Sequence, residues 1–286
     1  MTGNVKRTVR WASACWLVLA AGLTGCEGRR LVLNREYLDR GLIIVLPGID
    51  GRAPHNEAAC LALRGGGPDM AVELYDWTAP LGALYNQCAV DRNHEAATRL
   101  ARRIQAYTRD HPRGRVFLAG HSGGTALAVW AAEALPEGQE VDGLVLLASS
   151  LSPSYDLSGA LSKSRHGIVS FYSPRDSILL GFGTSTFGTM DRQYTEAAGR
   201  VGFRRPGSAD RPELYAKLVQ IEWEEQAAEA GNDGGHFSCL AGRFIEAYVV
   251  PFLGSEAWGR SLVADRGRRA RPASSQREVA LATVRQ

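Results

Sequence analysis

The chain has 286 residues, enough for one large α/β domain or two small ones, and 45% of them are hydrophobic, which is sufficient for a sizeable buried core. Its net charge of +3 is carried by the two ends: residues 1–25 contribute +3 through Lys6, Arg7 and Arg10, and residues 255–286 contribute +4, leaving the body at −4. A mildly acidic body argues against a nucleic-acid-binding domain.

In chain order the first element is a targeting segment. Lys6, Arg7 and Arg10 form a basic region, and Trp11 to Leu23 is an apolar stretch too short to span a bilayer comfortably. It ends in Leu23-Thr24-Gly25-Cys26, which resembles the bacterial lipobox. That resemblance implies cleavage of a lipoprotein signal peptide at 1–25, a lipid anchor on Cys26, attachment to a membrane, and residence in a bacterial cell envelope. Residues 26–40 read as a linker after the anchor, with Leu31-Val32-Leu33 as a candidate edge strand.

Of five cysteines, Cys15 leaves with the signal segment and Cys26 is the anchor. Among the remaining Cys60, Cys88 and Cys239, at most one disulfide forms, and Cys60–Cys88 is the candidate because both flank one expected strand. No spacing of Cys and His marks a metal site, and no cofactor is expected.

The body, residues 41–254, alternates strands and helices, which predicts a mostly parallel central sheet with helices on both faces. Leu42–Leu46 is a continuous apolar run of the kind buried on both faces, followed by the turn-rich loop Pro47-Gly48-Ile49-Asp50-Gly51. A short helix over 56–64 and a strand over 70–75 follow. Asn93 is a candidate N-cap for an amphipathic helix running to Asp110, with Ala97, Leu100, Ala101, Ile104 and Tyr107 on one face. Further strands are expected at 116–119, 143–148 and 168–172, and a half-buried one where Val219, Ile221 and Trp223 alternate with Gln220 and Glu222. A final helix is expected over 237–252. Residues 255–286, rich in Arg, Ser and Ala, read as a basic disordered tail.

The chemistry centres on Val116-Phe117-Leu118-Ala119-Gly120-His121-Ser122-Gly123-Gly124-Thr125. An apolar strand runs into an Ala-rich helix that extends to Leu135, apolar nearly all round and therefore deeply buried. Between them lies Gly120-x-Ser122-x-Gly124. A strand that turns into a helix within so few residues holds its apex in a strained conformation, and glycines two residues to either side remove the Cβ atoms that would collide. Ser122 is thereby raised above the sheet edge, and the helix after it directs N–H groups toward a developing oxyanion.

A serine hydroxyl needs a base within hydrogen-bond reach and a group that orients the base. His236 lies in the loop Gly231-Asn232-Asp233-Gly234-Gly235-His236, after the last strand. Loops so placed carry functional groups more often than packing ones. His121 sits inside the elbow, where its ring is expected to point away from the nucleophile. For the acid, Asp176 follows the strand at 168–172 and points toward the crevice where open α/β sheets bind ligands. Asp191, Asp156 and Asp233 are rivals.

Ser122, Asp176 and His236 stand in the order Ser…Asp…His, and residues 41–254 resemble the α/β-hydrolase superfamily of serine esterases and lipases. The resemblance implies a Ser-His-Asp triad working through an acyl-enzyme on a carboxylic ester, small or lipid. It also implies an oxyanion hole from the Gly123 N–H and an N–H of the loop after Leu42–Leu46, assigned to Ile49. The family often has His-Gly where this chain has Pro47-Gly48. The antiparallel strands that usually precede the oxyanion strand look reduced, and residues 149–167 are too few for a cap domain. The stretch after Asp176, with Leu179, Leu180, Phe182 and Phe187, is a candidate acyl-pocket wall or flap. The same triad serves thioesterases, acyltransferases and peptidases; the reading from a different class is a non-catalytic envelope binding lipoprotein on this fold.

Overall fold

The computed structural model describes residues 31–177, 188–209 and 211–264. The Leu23–Cys26 motif and the apolar residues Leu179, Leu180, Phe182 and Phe187 lie outside these residues.

Seven strands form one sheet in the order β1-β3-β2-β4-β5-β6-β7. They are β1 (Leu31–Leu33), β2 (Gly41–Leu46), β3 (Ala71–Leu74), β4 (Arg115–His121), β5 (Gly143–Leu147), β6 (Ile168–Tyr172) and β7 (Leu218–Glu222). Among the described strands only β1 is antiparallel, paired with β3; all other neighbours run parallel. The mixed α/β architecture expected from the alternation of apolar runs is therefore present. The central strands β2 to β5 are buried along nearly their whole length, as strands covered on both faces must be.

Helices cover both faces. On one side α1 (Pro54–Gly66) packs Ala59, Cys60 and Leu63 with the C-terminal segment. On the other, after the short α2 (Ala83–Cys88), α3 (Val90–Asp110) buries the expected Ala97, Leu100, Ala101, Ile104 and Tyr107. Beside it α4 (Gly123–Glu133) is buried from Gly123 through Ala132. Edge strand β7 is half-buried, with Val219 and Ile221 toward the core.

The chain passes from β2 outward to β3, then returns to the other side of β2 as β4. Strand order thus reverses between β2 and β4, and the loops leaving their C-terminal ends diverge to open a crevice. The Pro47–Gly51 loop leaves β2 there, and Ser122 leaves β4.

Several expectations are corrected. Cys60, Cys88 and Cys239 are all free thiols. Cys60 is buried on the α1 face, whereas Cys88 ends α2 and is exposed beside Arg192, so the strand between them separates the pair. Asn93 is no N-cap: α3 begins three residues earlier, and Asn93 is buried inside it with its side-chain amide donating to the Asn86 carbonyl at 2.7 Å. The final helix is broken into a 3-10 turn, a helical turn Gly242–Phe244, a π turn Ile245–Val249 and a last turn Val250–Leu253. Pro251 has no N–H to continue the ladder and its ring crowds the carbonyl four residues back, which favours a widened turn before it. The packed unit also exceeds the expected bounds of 41–254. Leu31–Leu33, the candidate edge strand, does pair with β3 at the sheet edge, so this part of the expected linker belongs to the sheet. Beyond 254, Trp258 donates to the Phe252 carbonyl at 2.8 Å and fills the space above Gly143, while Leu262 and Val263 pack on the core.

Candidate active site

Ser122 joins β4 to α4 with φ 51° and ψ −122°, a positive φ uncommon for a residue with a side chain. Such a conformation costs on the order of 1–3 kcal/mol and persists only when its surroundings over-determine it. Here the Ser122 N–H donates to the Leu147 carbonyl at 3.0 Å, and the Ser122 carbonyl accepts from Thr125 N–H at 3.0 Å and Thr125 Oγ1 at 2.6 Å. The flanking glycines are required sterically. A Cβ on Gly120 would lie 2.6 Å from the Gly124 carbonyl oxygen, and one on Gly124 would run into the Leu46 carbonyl.

The structure brings Ser122, His236 and Asp176 together across 114 residues of chain. His236 Nε2 lies 2.9 Å from Ser122 Oγ, and His236 Nδ1 lies 2.5 Å from Asp176 Oδ2. An ionised carboxylate only accepts, so Nδ1 carries the proton and Nε2 presents its lone pair to the hydroxyl. Asp176 and His236 side chains are 3% and 8% exposed, which shields the pair from water. The three rival carboxylates are engaged elsewhere. Asp191 accepts from the Ser152 N–H and from the hydroxyls of Ser152 and Thr189. Asp156 accepts from the Ser158 N–H and the Tyr215 hydroxyl, and Asp233 from the Gly235 N–H.

The loop after β2 folds against the start of α4. Gly51 N–H closes a turn onto the Gly48 carbonyl at 3.0 Å, with Gly51 at φ 67°. A Cβ on Gly123 would stand 2.7 Å from Ile49 Cγ2 and 3.6 Å from the Ile49 backbone nitrogen, so the two predicted donor residues are neighbours at the mouth of the crevice. Two supports were invisible in the sequence. Trp77 Nε1 donates to the Pro47 carbonyl at 2.7 Å, and Asn86 Nδ2 donates to the Ile49 carbonyl at 3.0 Å. Asn86 is itself buried and held by Asn93. Trp77 lies in an irregular loop and Asn86 in a short helix, and no local pattern in either segment marks the contact with the Pro47–Gly51 loop.

His121, the residue before Ser122, turns its ring toward His236: Nε2 lies 3.1 Å from the His236 carbonyl oxygen. Burial, reinforced by the facing His236, holds its pKa well below the ordinary histidine value, so the ring is neutral. Phe237, half exposed, packs against His55 and His236 with ring centroids 4.7 and 5.0 Å away. A cavity of about 600 Å³ opens on the far side of Asp176, lined by Phe171, Trp223, Cys239 and Tyr248. Neither Ser122 nor His236 lines it, so it backs the carboxylate rather than serving the hydroxyl.

This fold is that of the α/β-hydrolases, represented among solved structures by esterases and lipases. Over 80% of its length the chain resembles lipase B of Aspergillus fumigatus, with a TM-score of 0.52 at 15% identity, and it spans 57% of that chain. Looser likenesses include Est1E from Butyrivibrio proteoclasticus (TM-score 0.45, 11% identity, 79% of this chain and 93% of that one). Another is an esterase from Pyrococcus furiosus (TM-score 0.45, 14% identity, 75% and 81%). No family model and no curated protein matches the chain in sequence.

Proposed function

We propose that the protein is a serine hydrolase that cleaves carboxylic esters through an acyl-enzyme. The observation that carries this reading is the continuous hydrogen-bond line Ser122 Oγ–His236 Nε2 and His236 Nδ1–Asp176 Oδ2 at 2.9 and 2.5 Å, with Ser122 at a strained apex. Ser122 Oγ attacks the ester carbonyl while its proton passes to His236 Nε2; Asp176 stabilises the imidazolium and keeps its tautomer. The tetrahedral oxyanion is held by the Gly123 and Ile49 N–H groups, aided by the positive end of α4. Collapse of the intermediate breaks the C–O bond, and His236 returns its proton to the departing alcohol. Water, deprotonated by the same imidazole, then releases the acid and restores the serine.

Exposed apolar side chains near this machinery favour an apolar substrate part. Phe237 adjoins His236, and Leu81 and Leu84 stand on the segment leading to Asn86. Hydrolysis of p-nitrophenyl esters of graded acyl length tests the reading: turnover of at least one series member is expected, and a folded protein inert toward every ester and thioester contradicts it. The Leu23–Cys26 motif supports a lipid-anchored enzyme of a bacterial envelope. Detergent-phase partitioning of the mature protein is expected to be lost in Cys26→Ala; a variant that stays wholly in that phase overturns the anchor.

A further inference from the structure

We infer that His121 is a positioning residue for the base: its Nε2–H holds the backbone carbonyl of His236 and so sets the distance between the His236 imidazole and Ser122 Oγ. This rests on the serine-hydrolase reading above and adds to it a residue outside the triad.

His121 occupies the last position of β4, so its backbone is the rigid lead into the nucleophile. Its ring is 2% exposed and reaches across to the loop that carries the base, 115 residues later in the chain. A carbonyl oxygen accepts only, so Nε2 of His121 is the protonated nitrogen and Nδ1 carries the lone pair. Among the described residues that Nδ1 is buried with no hydrogen-bond partner, and it faces Gly48, whose absent Cβ would sit 3.4 Å from it. A buried lone pair without a partner is costly. The tautomer that incurs this cost is the one that makes the bond to His236. The ring is therefore wedged between the loop of the base and the loop of the oxyanion donor.

The loop around His236 is tied at Asn232, Asp233 and Gly235, but few donors reach the His236 carbonyl itself. His236 sits in a glycine-rich segment, Gly231 to Gly235, with Gly231 and Gly234 both at φ 90°. Among the described residues its carbonyl has one other donor, the Cys239 thiol at 3.4 Å, a weak one. The neutrality of His121 also fits the role. During the reaction His236 becomes cationic, its ring centroid 5.0 Å from that of His121, and a second cation there would oppose it. The groups that face His121 are His236, His55 at 6.2 Å between ring centroids, and the Phe237 ring at 5.8 Å.

The test compares three variants of the full protein on one p-nitrophenyl ester, with melting temperature as the check on folding. His121→Met keeps the volume and removes the donor; kcat is expected to fall tenfold or more with KM within twofold of wild type. His121→Gln places an amide N–H at the same reach and is expected to restore kcat to within about threefold. His121→Asn is too short to reach and is expected to behave like Met, which keeps the comparison open if Met perturbs packing. Folded Met or Asn protein with wild-type kcat overturns the inference, and so does a folded Gln variant as impaired as Met or Asn. Wild-type protein that turns over no ester overturns the hydrolase reading itself and the inference with it.

Discussion

Asp176 follows β6 closely whereas Asp191 lies far from any strand end, and in the proposed mechanism only Asp176 serves the base. Asp176 spends one oxygen on His236 Nδ1. Asp191 spends both on Ser152 and Thr189, where it ties the segment after β5 to the segment before Ala198. Asp176→Asn leaves the geometry and reverses the tautomer preference of the imidazole, so kcat is expected to fall by about 10⁴, the loss seen for the equivalent change in serine proteases. Asp191→Asn is expected to leave kcat within a few-fold and to lower the melting temperature instead. Parallel measurement of both variants decides between them: the larger rate loss in Asp191→Asn would reassign the acid. The contact of Asp176 with His236 was legible in the sequence because a carboxylate just past the end of β6 points into the crevice. The bonds of Asp191 were not legible, because they depend on a packing of distant segments that no local pattern encodes.

At the scale of elements, the site is set by four loops that leave the C-terminal ends of β2, β4, β6 and β7. The strands behind them were readable as apolar runs, and the elbow was readable because only glycine satisfies the close approach of α4 to β2 and β4. The support of the oxyanion loop was not. Asn93 looks like a cap because Asn is common at caps, but burial in α3 and a bond to the Asn86 backbone won over local propensity. Asn86 in turn bonds the Ile49 carbonyl and both the N–H and carbonyl of Ala79, so it clamps the loop of Ile49, the proposed oxyanion donor. Removing one oxyanion donor outright costs about 10²–10³ in kcat. Asn86→Ala only loosens that donor, so kcat is expected to fall about tenfold with KM little changed, read from steady-state ester hydrolysis. Wild-type kcat in folded Asn86→Ala would show that the clamp does not serve the reaction. The Cys60–Cys88 expectation failed for a topological reason: closeness in sequence to one strand says nothing about which face of the sheet each residue reaches.

Across the whole molecule, burial of one acid makes stability depend on pH away from the site. Glu133, at the end of α4, accepts from the Tyr155 hydroxyl at 2.9 Å, and burial pushes its pKa up to about 7. The folded chain therefore holds this proton more tightly than the unfolded chain. The contribution is fully present below pH of about 4.5 and is lost as pH rises to about 7. Glu133→Gln cannot ionise, so its stability relative to wild type is expected to rise by on the order of 1–3 kcal/mol across that window, as measured by urea unfolding at pH 4.5 and pH 8. A difference that does not change with pH would remove Glu133 from the account. The central claim concerns Ser122, and it is tested most directly by the ester turnover of Ser122→Ala. Loss of one hydroxyl and its hydrogen bond removes roughly 1 kcal/mol of stability, little against the 5–15 kcal/mol of a typical domain, so the variant should stay folded. Its turnover is expected to vanish to the residue left by substrate binding and the oxyanion hole. Near-wild-type hydrolysis by folded Ser122→Ala would contradict the account.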